Sequence, residues 1–206
     1  MELDPSHLCA HEWHARALVT SGRTEEAIAE AQLSLTLDPS PTNWDYPVWV
    51  FMLAGRNDLA LDRAQKMIGL DPNYPWVHFE LARIYEQTGE RNEAAQEFLK
   101  TDELFGTDAA KLARLREAVA KSGMPGYWQR TVEDYKASEK KGYVPYVLAA
   151  EACTRIGDNE CAFRWLERGF EERDDLMINL NVDPVLDGLR SDLRFRDLLR
   201  RVGIPQ

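Results

Sequence analysis

Residues 75–106 read PWVHFELARIYEQTGERNEAAQEFLKTDELFG, two stretches with apolar side chains at helical spacing that meet at Gly89. Gly89 is one of five glycines, at positions 22, 55, 89, 123 and 157, which stand 33, 34, 34 and 34 residues apart. Alanine recurs five places after four of these glycines. A period near 34 residues is typical of stacked helical hairpins, because one such unit cannot bury its apolar face alone. The spacing of these glycines therefore predicts a scaffold of repeated helical hairpins.

Each part of the repeat has a physical role. A turn glycine adopts positive φ at little cost, so the chain can reverse within two or three residues. Small residues where the helices cross allow close packing. The Asp-Pro pairs at residues 38–39 and 71–72 are expected to end their helices, because the residue before proline disfavours helical backbone.

This pattern resembles the tetratricopeptide repeat over roughly residues 1–172. One unit of that family comprises helix A, a glycine turn, helix B and a proline-containing connection. The residues of the third unit that fit are His78, Leu81, Ala82 and Tyr85 on helix A, Gly89 at the turn, and Ala94 and Phe98 on helix B. The fourth unit is degenerate, with Arg116 and Trp128 where small residues are expected. The resemblance implies an all-α, right-handed α-solenoid of about five hairpins, with units near 7–40, 41–73, 74–107, 108–141 and 142–172.

Residues 173–206 depart from the repeat and are expected to cap the same domain. Val182-Asp183-Pro184 interrupts a sixth helix A, and Ser191 is a candidate cap for a final helix near 192–202. An apolar stripe on that helix, at Phe195, Leu198, Leu199 and Val202, is sufficient to cover the end of the stack. The segment from Gly157 to Pro205 also resembles the repeat region of bacterial regulators that carry a winged-helix DNA-binding or a protein kinase domain. The resemblance implies a regulatory or assembly role.

Charge is distributed unevenly. The chain has a net charge of −10, and residues 1–106 carry 18 acids and 8 bases whereas residues 107–206 carry 17 of each. This acidity argues against direct nucleic-acid binding. No apolar run approaches 18 residues, so no membrane span is expected, and the amino terminus lacks a basic and apolar signal pattern. The cytoplasm is the predicted location, and a start within a repeat at Leu3-Asp4-Pro5 predicts a fragment or a truncated reading frame.

Helix A residues that avoid the hairpin core are expected to line a concave groove. Aromatic side chains beside arginines are typical of binding hot spots, and an extended or helical peptide with apolar anchors suits such a groove. The predicted groove residues are Trp13, Arg16, Asp45, Tyr46, Trp49, Phe79, Glu80, Arg83, Arg114, Glu117, Leu148 and Glu151. The arginines among them could steer an acidic peptide. The alternative is that Trp13, Tyr46 and Trp49 pack between adjacent units.

Pro47 lies inside the expected second helix A and is predicted to kink that helix or to delay its start. The continuous apolar run from Val48 to Leu53 follows it. One buried face does not require such a run, so part of it is expected to meet a neighbouring helix, another chain or a ligand. Homo-oligomerisation through Val48–Leu53 is therefore a hypothesis.

Two residue types could carry chemistry. His7, His11 and His14 could share a helix face and hold zinc, but His11-Glu12-Trp13-His14 is one residue short of the HExxH spacing. A packing role is the alternative, because His11 and His78 occupy the same repeat position. Cys153 and Cys161 fall on facing helices and are expected to be buried thiols, with a disulfide or redox role as the alternative.

The sequence thus predicts a non-enzymatic scaffold that binds a protein or peptide partner, with no catalytic residue, no metal and no cofactor. It has no GxSxG, Walker or GxGxxG motif. The alternatives are a metal-binding or enzymatic accessory domain built on His7, His11 and His14, and a self-assembling spacer.

Overall fold

The computed structural model describes residues 7–38, 46–140, 142 and 144–204. Within those residues the chain forms ten α-helices and two 3-10 helices, and no strand. The α-helices are α1 (Leu8–Thr20), α2 (Thr24–Leu37), α3 (Tyr46–Leu53), α4 (Asn57–Leu70), α5 (Pro75–Thr88), α6 (Arg91–Leu104), α7 (Ala109–Glu139), α8 (Tyr146–Arg155), α9 (Asn159–Glu171) and α10 (Leu193–Val202). The 3-10 helices are η1 (Asp175–Asn179) and η2 (Pro184–Leu189). The predicted all-α fold of packed helix hairpins is confirmed.

The chain divides into two compact units, Met1–Leu112 (unit 1) and Ala113–Gln206 (unit 2). The predicted boundary between a solenoid over 1–172 and a cap over 173–206 stays a prediction. None of the helices in the described ranges is both long and apolar enough to cross a membrane.

Unit 1 contains three helix hairpins in sequence, α1 with α2, α3 with α4, and α5 with α6. The glycine at each turn has positive φ, between 73° and 94°, as the repeat predicted. Ala27, Ala60 and Ala94, each five places later, have no exposed surface. A larger side chain at these positions would hold the two helices apart, so the alanines set the close crossing of each hairpin.

Helix α3 has eight residues and begins at Tyr46, so Pro47 lies in its first turn, where a proline needs no hydrogen-bond partner. Which of the two predicted effects of this proline occurs, a kink or a late start, stays a prediction, because residues 39–45 lie outside the described residues. Val48, Val50, Phe51, Met52 and Leu53 are at most 8% exposed in the single chain. Helices α1, α2, α4 and α5 all contact α3. Neighbouring helices thus cover most of the apolar run, and homo-oligomerisation through Val48–Leu53 stays a prediction.

The fourth hairpin lies within α7, whose two arms, 109–122 and 124–139, meet at Gly123. Gly123 has φ 62° and ψ −146°, which is not helical. A Cβ on Gly126 would lie only 2.3 Å from the carbonyl oxygen of Ala118. Residues eight apart in a continuous α-helix are about 12 Å apart, so the chain reverses at Gly123 as predicted. The close contact that Arg116 and Trp128 could not provide is made by Ala118 and Gly126.

The fifth hairpin pairs α8 with α9, and a disulfide between Cys153 and Cys161 joins the two helices. The Cα atoms are 5.7 Å apart, within the range that a disulfide requires. The expectation of two buried thiols is therefore wrong, and the alternative of a disulfide holds. Cys9 is free and exposed.

We expect chemical labelling to find one free thiol in the oxidised chain. Alkylation in denaturant without reductant should modify Cys9 alone, and alkylation after reduction should modify Cys9, Cys153 and Cys161. Intact-mass spectrometry of both samples counts the added groups. Three modified cysteines before reduction, in protein purified without reductant, would contradict the disulfide.

The end of unit 2 follows the 34-residue register although its first helix is lost. Helix α10 begins at Leu193, 34 residues after α9 begins at Asn159, and it packs on α9. Helix η2 packs on α8, where the helix A of a sixth repeat would lie. Two ion pairs join α10 to α9, Arg194 with Glu160 at 3.0 Å and Arg201 with Glu167 at 2.8 Å. The end of the chain thus keeps the 34-residue register, with 3-10 turns in the place of a helix A.

One detail of the cap differs from the prediction. The side chain that accepts a hydrogen bond at the start of α10 is that of Asp192, from the backbone N–H of Arg194, so Ser191 is not the cap. The Arg194 guanidinium also bonds this carboxylate and lowers the pKa of Asp192. An aspartate gives the stronger cap because its charge also favours the positive end of the helix dipole.

Candidate partner-binding surface

The predicted groove residues of unit 1 lie on three consecutive first helices of hairpins. Helix α1 contacts α3, and α3 contacts α5, so these helices form a common surface, here called the A-helix face. Its predicted residues are Trp13, Arg16, Tyr46, Trp49, Phe79, Glu80 and Arg83. Asp45, the remaining predicted residue of this unit, lies outside the described residues.

Two tryptophans, a tyrosine and an arginine come together where α1 meets α3. The Arg16 guanidinium carbon lies 5.6 Å from the centre of the Trp13 ring and 5.3 Å from that of the Trp49 ring. The Trp13 and Tyr46 rings are 5.8 Å apart, tilted by 54°. These distances are typical of cation–π and aromatic contacts. We call Trp13, Arg16, Tyr46 and Trp49 the tryptophan cluster.

The members of the tryptophan cluster differ in exposure. Trp13 is 57% exposed, whereas Arg16 is only 9% exposed. Tyr46 and Trp49 are half-buried. Tyr46 and Trp49 therefore contribute to packing between hairpins, as the alternative proposed, while the Trp13 indole remains open. The tryptophan cluster therefore exposes the Trp13 ring to solvent, while Arg16 beneath it is already packed.

A second aromatic group lies on α5 and continues from there to the end of α6. Arg83 stacks on the Phe79 ring at 5.7 Å, and Phe79 makes an edge contact with Trp76 at 6.1 Å. Trp76 in turn contacts Phe105 at 4.9 Å. Trp76 and Phe105 are 43% and 49% exposed. Neither is among the predicted groove residues, and Phe105 lies after helix B, where a helix A projection cannot find it.

The charged residues of the A-helix face are largely buried. Glu80 and Arg83 are each 3% exposed, and Glu12 is 5% exposed. Burial also lowers the pKa of Arg63 on α4. Of the guanidinium groups predicted to meet an acidic partner, those of Arg16 and Arg83 thus lie beneath the surface, and they support the aromatic rings instead.

The histidines connect the two helices of a hairpin. His11 Nδ1 lies 2.6 Å from Glu30 Oε2, and His78 Nδ1 lies 2.5 Å from Glu97 Oε2. Each pair spans 19 residues and joins helix A to helix B at the same repeat position, so the packing interpretation of the shared register is observed. In the fifth hairpin Tyr146 and Trp165 occupy these positions, with ring centres 6.0 Å apart.

The proposed zinc ligands have separate roles. His7 accepts a hydrogen bond from the backbone N–H of Ala10 at 3.3 Å and caps α1, and His14 Nδ1 lies 3.3 Å from Glu30 Oε1. Within the described part of the chain, no three histidine, cysteine or acidic side chains are grouped so that they could hold a metal ion. The His7, His11 and His14 hypothesis therefore gains no geometric support.

The predicted groove residues of unit 2 form a different environment. Arg114 and Glu117 are exposed on the first arm of α7, and Leu148 is half-buried. Glu151 is 2% exposed and pairs with Arg155 at 3.1 Å, while Arg155 stacks on the Trp128 ring at 4.2 Å. The Glu151, Arg155 and Trp128 contacts are internal, so Glu151 is not a surface residue.

Residues 51–119, about a third of the chain, match the family model of the tetratricopeptide repeat. The match runs from α3 to the first arm of α7 and includes the turns at Gly55 and Gly89. No curated protein matches the sequence significantly. Tetratricopeptide repeats generally mediate protein–protein interaction and are typically non-enzymatic.

Proposed function

We propose that the whole chain is a tetratricopeptide-type scaffold, without enzymatic activity, that binds a peptide or protein segment on the A-helix face of unit 1. The glycine register on both sides of the matched range supports the extension beyond residues 51–119. The observation that carries the binding role is Trp13, an indole 57% exposed beside a packed arginine.

The tryptophan cluster has the properties of a binding hot spot. Tryptophan, tyrosine and arginine are the residues most enriched in such positions. The contacts among Trp13, Arg16 and Tyr46 restrict the rings before a partner arrives, so less side-chain entropy is lost on binding. The partner that fits is a protein segment with apolar or aromatic anchor residues.

Two finer parts of the proposal rest on the sequence. A role as the repeat segment of a bacterial regulator follows from the resemblance of the segment from Gly157 to Pro205. A cytoplasmic location is the other finer part, but the disulfide between Cys153 and Cys161 argues against it, because cytosolic reductants keep most thiols reduced. The number of free thiols in protein from lysates quenched with alkylating agent tests the location. Three free thiols fit the cytoplasm, and one free thiol fits an oxidising compartment.

The test of binding is to select short random displayed peptides on the full chain and to measure their affinity for variants. Trp13→Ala should weaken the selected peptides by about 2 kcal/mol, or about 30-fold, since it removes the exposed anchor. Leu70→Ala is the matched control, because Leu70 is 65% exposed but lies on the second helix of its hairpin. Fluorescence anisotropy of labelled peptides gives the affinities.

Two results of this selection would contradict the proposal. If no peptide is enriched, or if the enriched peptides bind Trp13→Ala as tightly as the unchanged chain, the A-helix face is not the binding surface. Circular dichroism of Trp13→Ala should match that of the unchanged chain, because the removed ring is mostly exposed.

A further inference from the structure

We infer that the partner of the A-helix face is a cationic segment, with lysine or arginine beside its apolar anchors, rather than the acidic peptide that the groove arginines predict. This inference rests on the proposed function and specifies the chemistry of its partner. Three sets of observations on unit 1 carry it.

The first is the position of the basic side chains of unit 1. Arg16 and Arg83, which were expected to attract an acidic partner, are 9% and 3% exposed and stack on aromatic rings. Arg63 on α4 is 8% exposed. An acidic peptide could reach Arg16 and Arg83 only by displacing the rings that cover them. The guanidinium groups of all three arginines are therefore buried and are not part of the surface that a partner contacts.

The second is the balance of charge that remains outside. Among the residues of unit 1 that the structure describes, nine acidic side chains are exposed, against four basic ones. Three of those four basic side chains form ion pairs with acidic residues close to them in sequence. The pairs are Arg23 with Glu26, Arg56 with Asp58, and Lys66 with Asp62. The hydrogen bond from Arg56 lowers the pKa of Asp58 to about 2.

The field around unit 1 is consequently negative. Residues 1–106 carry a net charge of −10, from 18 acids and 8 bases. Such a field accelerates the approach of a positively charged partner and repels an acidic one, and it does so over about 8–10 Å at physiological salt.

The third is the surface at which a cationic side chain would arrive. Trp13 is 57% exposed, and Trp76 and Phe105 are 43% and 49% exposed on the same unit. The faces of aromatic rings attract ammonium and guanidinium groups, tryptophan most strongly. Arg16 already makes this contact from inside the protein, at 5.6 Å from the Trp13 ring. A partner lysine or arginine can make the same type of contact from solvent.

The experiment selects random displayed peptides on the full chain, as in the test of binding, and determines the net charge of the enriched peptides from their sequences. We expect enriched peptides to combine aromatic or aliphatic residues with lysine or arginine. A synthetic copy of an enriched peptide should lose about tenfold in affinity when salt rises from about 50 to about 500 mM, because the attraction is screened. A matched peptide in which each lysine or arginine is changed to glutamate should bind at least about tenfold more weakly.

The outcomes separate the two proposals. Enriched peptides that are acidic or neutral, and that still depend on Trp13, would overturn the cationic partner while leaving the binding surface in place. If cationic peptides bind Trp13→Ala as tightly as the unchanged chain, both proposals are overturned, because charge alone would then explain binding. Failure to enrich any peptide would also overturn both.

Discussion

Gly126→Ala is expected to destabilise unit 2 by about 3 kcal/mol, one of the two largest effects of a single substitution in this chain. The added Cβ would lie 2.3 Å from the Ala118 carbonyl oxygen and 2.9 Å from its carbonyl carbon. Both atoms are backbone, so neither can rotate away as a flexible side chain would. The two arms of α7 must separate to admit the methyl group, and the hairpin at Gly123 must open.

Thermal or chemical denaturation followed by circular dichroism measures this effect. Gly69→Ala is the control, because a Cβ on Gly69 would meet nothing within 4 Å and this residue lies in α4. Neither glycine has positive φ, so alanine strains the backbone at neither position. Gly69→Ala should be neutral or stabilising by about 0.5–1 kcal/mol. Equal stability of the two variants would contradict the reversal of the chain at Gly123.

Trp165→Ala should cost about 3–5 kcal/mol of the free energy of unfolding. Trp165 on α9 is fully buried and is among the largest side chains in the core. Its ring faces Tyr146 of α8 at 6.0 Å, and Arg164 covers it at 4.6 Å. Removing the indole leaves a cavity between the two helices of the fifth hairpin, and the fixed helix crossing prevents the cavity from closing fully.

Trp165→Phe distinguishes the loss of ring volume from the loss of the indole N–H. Trp165 Nε1 is buried and has no hydrogen-bond partner among the described residues. Phenylalanine retains most of the aromatic contact and removes a donor that costs free energy when buried, so we expect a loss below about 1.5 kcal/mol. A loss as large as that of Trp165→Ala, measured by the same denaturation, would show that the N–H has a partner after all.

Much of the fold could be predicted from sequence because it depends on local backbone rules. The turn glycines at positions 55 and 89 need positive φ, and the alanines five places later need a close crossing, so both can be read from residue spacing. The place of Pro47 in the first turn of α3 agrees with its missing N–H in the same way. The exposed Trp13 was also predicted, because it falls on the side of helix A opposite the hairpin core.

Other features depend on what each side chain meets across the fold. The buried arginines Arg16 and Arg83 were predicted as open charges, because sequence spacing shows which side of a helix a residue lies on but not which rings cover it. The aromatic contact of Trp76 with Phe105 joins the start of α5 to the end of α6 and has no local signature. The disulfide between Cys153 and Cys161 likewise required the distance between two helices.

The sequence by itself determined the all-α class, the 34-residue register and the hairpin turns, because these follow from backbone preferences at glycine and proline and from the helical spacing of apolar residues. Only the tertiary structure decided that Arg16 and Arg83 are buried, that Trp76 and Phe105 are exposed, and that Gly126 rather than residues 116 and 128 provides the close contact in the fourth hairpin. The physical reason is that burial and contact are properties of pairs of elements. A single stretch of chain specifies its own helix, while its exposure is set by the neighbours that pack against it.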